Sequence, residues 1–165
     1  MYDQIIKHLK DNLMISYDKD LIIDPHANND TFIEGLQSLV KMSLFYNKNP
    51  VDENVLPLDF LQIDFDRFNK TFLAGLWFDD VHVISQPPPE QAEQFIEAAC
   101  KFAGSVSFIM PKAAQYAFPS NYRRLFSTSI TGTSITGTSI TGTSITGTQK
   151  KEKELFFQIW LRADY

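Results

Sequence analysis

Three apolar runs, LIID at 21–24, VHVIS at 81–85 and SVSFIM at 105–110, each stop within two residues of a proline. Proline brings no N–H to a β-ladder, so each run reads as a strand that must end there. Their unbroken apolar character is that of strands covered on both faces. Between them lie segments of helical period, and strand alternating with helix predicts an open, mostly parallel sheet with right-handed crossovers. A chain of 165 residues, 44% of them hydrophobic, is long enough to bury such a core as one domain spanning 1–165.

The remaining elements follow from the same pattern. Ile5, Ile6, Leu9, Leu13 and Met14 mark an amphipathic helix over 3–14. Thr31 with Glu34 forms a capping-box signature ahead of Phe32, Leu36, Leu39 and Val40, which predicts a second helix. SLFYN at 43–47 and LDFLQID at 58–64 read as two further strands. A helix is expected over 90–103, where Ala92, Phe95, Ile96, Ala99 and Ala103 share one face, and a short one around Ala113–Ala117. RRLFSTSI at 123–130 and ELFFQIWLRAD at 154–164 predict a C-terminal antiparallel hairpin. Between them the pentapeptide SITGT occurs four times over 129–148, too short a period for a solenoid unit and too poor in large side chains for a core. It reads as a flexible loop at the hairpin tip, where insertions are tolerated, with a lengthened β-hairpin as the rival reading because Thr and Ile favour extended backbone.

Charge and cysteine usage narrow the setting. A net charge of -5 gives little attraction for a phosphate backbone, so nucleic acid would need a local rim, for which Lys112, Arg123, Arg124, Lys150, Lys151 and Lys153 are the candidates. The lone Cys100 allows no internal disulfide and no Cys/His zinc spacing, which fits a reducing, cytoplasmic compartment. No run approaches the roughly 20 apolar residues of a membrane span, and the N-terminal stretch lacks the pattern of a signal peptide. His8, His26 and His82 have no partner at ligand spacing, and Asp59, Asp64, Asp66, Asp79 and Asp80 alternate with apolar residues as solvated strand-edge groups would. No metal is expected. Cys100 reads as a small core residue.

In an open α/β sheet, ligands bind beyond the carboxyl ends of the strands. The loops to inspect are therefore DPHANND at 24–30, the region of Asn47, LDF at 58–60 and SQPPPE at 85–90. The order LIIDPHANNDTFI, LDFLQIDF, VHVISQPPP, VSFIMPKAA and LFFQIW resembles the class I, S-adenosylmethionine-dependent N6-adenine methyltransferases over most of the chain. The resemblance implies a Rossmann-like fold, a cofactor site at the positions of Asp24, Asn28, Asp30, Asn47, Asp59 and Phe60, and a catalytic tetrapeptide at Gln86, Pro87, Pro88 and Pro89.

The departures from that family are consequential. Asn28 and Asp30 stand where the family has two glycines, whose lack of a side chain lets backbone turn beside the ligand. Asn47 replaces the acid that holds the ribose hydroxyls. Gln86 replaces the Asn that holds the target amino group, and Pro89 replaces the aromatic ring that stacks on a flipped base. Misplacement by about 1 Å costs on the order of a hundredfold in rate, so these changes together imply a degenerate site that needs no cofactor and has a binding or assembly role with a protein partner. The alternatives are an active S-adenosylmethionine-dependent enzyme with relaxed motifs and a nucleic-acid binder. The FQIW strand and the repeat also resemble a methyltransferase-like late protein of large cytoplasmic DNA viruses of the African swine fever type, which implies a host-cytoplasm setting.

Overall fold

The structure, a computed structural model, describes residues 1–50, 52–68, 78–111, 116–132 and 153–164. The chain runs through α1 (Tyr2–Asn12), β1 (Asp20–Asp24), α2 (Asp30–Gln37), β2 (Met42–Phe45), α3 (Phe65–Phe68), β3 (Asp80–Ser85), α4 (Ala92–Ala99), β4 (Ser105–Pro111), β5 (Tyr122–Gly132) and β6 (Lys153–Arg162). Six strands form one sheet in the order β2-β1-β3-β4-β6-β5. The first four are parallel, and β6 enters antiparallel between β4 and β5. This is the expected Rossmann-like arrangement, a mostly parallel sheet closed by a C-terminal antiparallel hairpin.

Alternate residues of each strand serve opposite faces, as period two requires. Ile22, Ile84, Ile109 and Ile159 join Ile5 and Leu9 of α1 and Phe32 and Leu36 of α2 in one core layer. Leu21, Ile23, Val83, Val106 and Phe108 join Phe95 and Ile96 of α4 in the other. The two helices of the first layer meet closely at Gly35, where an added Cβ would lie 2.8 Å from the Ile6 Cγ1. The second layer is rich in rings: Phe60 stacks on Phe95 at 6.0 Å and meets Phe65 edge-on at 5.0 Å.

Local chemistry moved several boundaries. The second helix is capped by Asn29, whose side chain accepts from the Phe32 N–H at 3.0 Å, and not by a box on Thr31. LDFLQID is not a strand. Asp59 accepts from the Leu61 N–H at 3.0 Å and starts a 3-10 turn over Phe60–Gln62, so a side-chain cap outcompetes the apolar alternation. What remains of pairing there is a single parallel bridge between Tyr46 and Leu56. The expected 90–103 helix is a 3-10 turn over Pro89–Gln91 followed by the shorter α4. Residues 116–119 are irregular, and 112–115 of the expected short helix lie outside the described residues. In the repeat, Ser129–Gly132 belong to β5 and pair with β6, while 133–148 lie outside the described residues.

Both ends of β1 bury an aspartate. At its start Asp20 bonds His82 Nε2 at 3.2 Å, and His82 Nδ1 meets Ser105 Oγ at 2.7 Å, linking the first residues of β1 and β4 through β3. All three are buried. A serine, a histidine and an aspartate in line suggest a hydrolytic triad, but a nucleophile must be reached by its substrate and Ser105 is 0% exposed. This chain of polar groups is part of the core. It also supplies His82 with partners 62 and 23 residues away, contrary to the expectation from sequence spacing.

Candidate functional site

The chain passes from β1 outward to β2, then returns across β1 to β3, so strand order switches between β1 and β3. Their carboxyl ends are Asp24 and Ser85, and a crevice outside a switch point is where such sheets bind ligands. A cavity of about 210 Å³ opens there, with Pro25, His26, Asn47, Lys48, Asp59 and Phe60 among its walls. Leu58, Pro88, Glu90, Gln91 and Phe95 complete it. A shallower groove of about 400 Å³ shares Asp59 and Gln91 and runs along α4 to Lys101. Pockets that enclose a ligand of ordinary cofactor size measure roughly 300–1,000 Å³, so the first cavity falls below that range.

Asp24, which ends β1 next to the lining residue Pro25, is 2% exposed. It accepts from Ser85 Oγ at 2.6 Å and from the His26 N–H at 3.0 Å. Burial pushes its carboxyl up to about 7, and these two donors only partly oppose that shift. The loop after β1 is tied to β2 by backbone bonds from Ala27 N to Tyr46 O and from Tyr46 N to Asp24 O. Asn47 adds to the same tie: its Nδ2 donates to the Ala27 carbonyl at 2.9 Å, and its Oδ1 accepts from the Asn49 N–H at 3.0 Å.

Of the residues at cofactor positions, Asn47, Asp59 and Phe60 line the crevice, and Asp24 is buried next to the lining residue Pro25. Asn28 and Asp30 do not. Both are exposed, Asn28 Nδ2 lying 3.3 Å from His26 Nδ1 and Asp30 opening α2. From this loop it is Pro25 and His26 that line the crevice. His26 has its imidazole pushed down, chiefly by burial.

The tetrapeptide is also dispersed. Gln86 Oε1 accepts from the Tyr2 hydroxyl at 3.1 Å, and Tyr2 itself stacks on Phe32 at 4.8 Å. Pro87 is buried, Pro88 alone lines the crevice, and the exposed Pro89 offers its carbonyl to Tyr116 at 3.3 Å. The loops 24–30 and 85–90 marked in the sequence contain Pro25, His26 and Glu90, whereas Lys48 and Gln91 lie outside the marked segments. Their signal is positional, since each follows the end of a strand or precedes α4.

Other candidates separate. Asp59 and Asp64 cap turns, Asp79 pairs with Lys19 at 3.4 Å, and Asp80 begins β3 on the far side of the sheet from the crevice. Arg123 and Arg124 are consecutive on β5 and so point to opposite faces, with Arg124 lying 5.9 Å from the Trp160 ring centre. They do not make one basic rim. Lys112, Lys150 and Lys151, and the side chains of Lys153 and Asp66, lie outside what is described. The Cys100 thiol is pushed up to about 12 by burial, which leaves it protonated and unreactive at neutral pH. Among the described residues no helix is long and apolar enough to cross a membrane.

No family model and no curated protein matches the chain. Among solved structures, a protein of Thermoplasma acidophilum provisionally described as a methyltransferase is similar at a TM-score of 0.42 and 11% identity, over 90% of this chain and 70% of that one.

Proposed function

We propose that this protein is a catalytically degenerate methyltransferase-like protein that acts by binding a protein partner at the mouth of its β1/β3 crevice. The observation that carries this reading is the fate of Gln86, whose side-chain carbonyl accepts from the Tyr2 hydroxyl of α1 at 3.1 Å. An amide that positions a substrate amino group must offer its acceptor to that group. Here Tyr2 already takes one of the two lone pairs of that oxygen and draws the amide towards α1, and Pro89 stands at the position of the ring that would stack on a base. Asn47 is likewise engaged with its own loop. Next to this mouth Leu56 and Leu58 are 41% and 52% exposed, an apolar rim that a partner would cover. The host-cytoplasm setting implied by the viral resemblance agrees with such an assembly role.

A second reading draws on Asp59 and Phe60, which line the crevice as the family's adenine-contacting pair would. It makes the protein an active S-adenosylmethionine-dependent enzyme with relaxed motifs. Single-turnover transfer from S-adenosylmethionine to adenine-containing DNA and RNA, with protein in excess, separates the two. The proposed function predicts no transfer above a protein-free control. Transfer that disappears in Gln86→Ala would establish the second reading instead.

A further inference from the structure

At the end of the sheet opposite the crevice, Asp20 and Asp80 are directly paired at the starts of β1 and β3, and His82 follows two residues along β3 on the same face. One carboxylate oxygen from each aspartate and a ring nitrogen of His82 lie within 4.8 Å of one another. We propose that Asp20, Asp80 and His82 form a binding site for one first-row divalent metal ion, zinc foremost.

The donor set is chemically coherent. An imidazole with two carboxylates suits zinc, manganese or iron, and among these the affinity order favours zinc, whereas magnesium and calcium prefer oxygen donors alone. Donor atoms ~2.1 Å from a common ion lie about 3.0 Å apart in octahedral and about 3.4 Å apart in tetrahedral geometry. The 3.2 Å between His82 Nε2 and Asp20 Oδ2 falls between those values.

The surroundings add observations of a different kind. A ligating histidine is oriented by a bond to its other ring nitrogen, and Ser105 Oγ lies 2.7 Å from His82 Nδ1. Ligating carboxylates are themselves held, and Asp20 Oδ2 accepts from the Ser16 N–H at 2.7 Å. The three donors stand on paired strands, so their spacing is fixed before any ion arrives. Asp80 is half-buried while Asp20 and His82 are 3% and 1% exposed, which leaves an entry from the Asp80 side.

Charge balance also favours an ion. Two carboxylates, one of them buried, stand side by side on paired strands. Lys19, beside Asp20 in sequence, is turned to the exposed Asp79. A divalent cation offsets both carboxylates. Three protein donors leave at least one coordination position for water.

The full chain, stripped with a chelator, would be titrated with zinc chloride by calorimetry, with the histidine ring nitrogens followed by NMR. The expected result is saturation at one ion per chain, a shift of the His82 Nε2 resonance with His8 and His26 unmoved, and binding weakened by about tenfold or more in Asp80→Asn. That substitution removes one donor and leaves the Asp20–His82–Ser105 hydrogen bonds in place. Glu53→Gln, which removes an exposed carboxylate elsewhere, should leave affinity unchanged. No saturation up to millimolar zinc, an unchanged affinity in folded Asp80→Asn, or a shift confined to another histidine would overturn the site. Should Asp80→Asn not fold, the resonance shift in the unaltered chain decides.

Discussion

β1 begins and ends with an aspartate, and the two behave in opposite ways. Asp20 and Asp24 are four residues apart on the same face of the same strand, and both are buried. Burial raises the carboxyl of each, and the difference lies in what answers that desolvation. At Asp20 the His82 ring and the Ser16 and Asp80 backbone N–H groups more than offset it and hold the carboxyl below its ordinary 3.8. Asp24 has one hydroxyl and one backbone N–H, and it rises to about 7. At the amino end of β1 the surroundings thus favour the charged carboxylate, and at the carboxyl end they favour the protonated acid up to about pH 7.

The sharpest way to break this contrast is through pH. A carboxyl raised in the folded chain holds its proton more tightly there than when unfolded. Asp24's contribution is therefore full below pH 3.8 and is lost as pH climbs through about 7. The loss is on the order of 4 kcal/mol across that window, and Asp24→Asn should abolish it, as denaturant melts from pH 4 to 8 would record. Asp20 runs the other way: its contribution is present above 3.8 and declines as pH falls below that value.

Smaller effects sharpen the contrast. His82→Leu strands the buried Asp20 carboxylate without its ring partner and should cost about 3 kcal/mol at neutral pH by chemical denaturation. Ser85→Ala removes the 2.6 Å donor to Asp24, should cost about 1–3 kcal/mol, and should move the pH-dependent loss to higher pH. Tyr2→Phe releases Gln86 at a cost of about 1 kcal/mol, with no methyl transfer gained in the single-turnover assay.

The two ends also differ in how well sequence exposes them. LIID and VHVIS announce their strands because consecutive apolar residues stopped by proline leave few other conformations, and the crevice between them follows from where the chain reverses. Asp59 and Phe60 could be placed in that crevice for the same reason. Asn28 and Asp30 could not, because one backbone turn at Pro25 and His26 decides whether a loop side chain faces the ligand or solvent. The Asp20, His82 and Ser105 chain was invisible in sequence: its members are 62 and 23 residues apart, and only strand register brings them together. LDFLQID misled in the opposite sense, since its alternation predicts a strand while Asp59 caps a turn within it.

On the proposed function, the crevice persists while its polar groups serve the fold itself. Calorimetric titration of the full chain with S-adenosylmethionine to millimolar concentration tests it most directly. The expected result is no saturable heat, because Asn47 is already bonded within its own loop and the cavity of about 210 Å³ lies below the size that encloses such a ligand. Saturable binding at one ligand per chain, lost in Asp59→Ala, would contradict it.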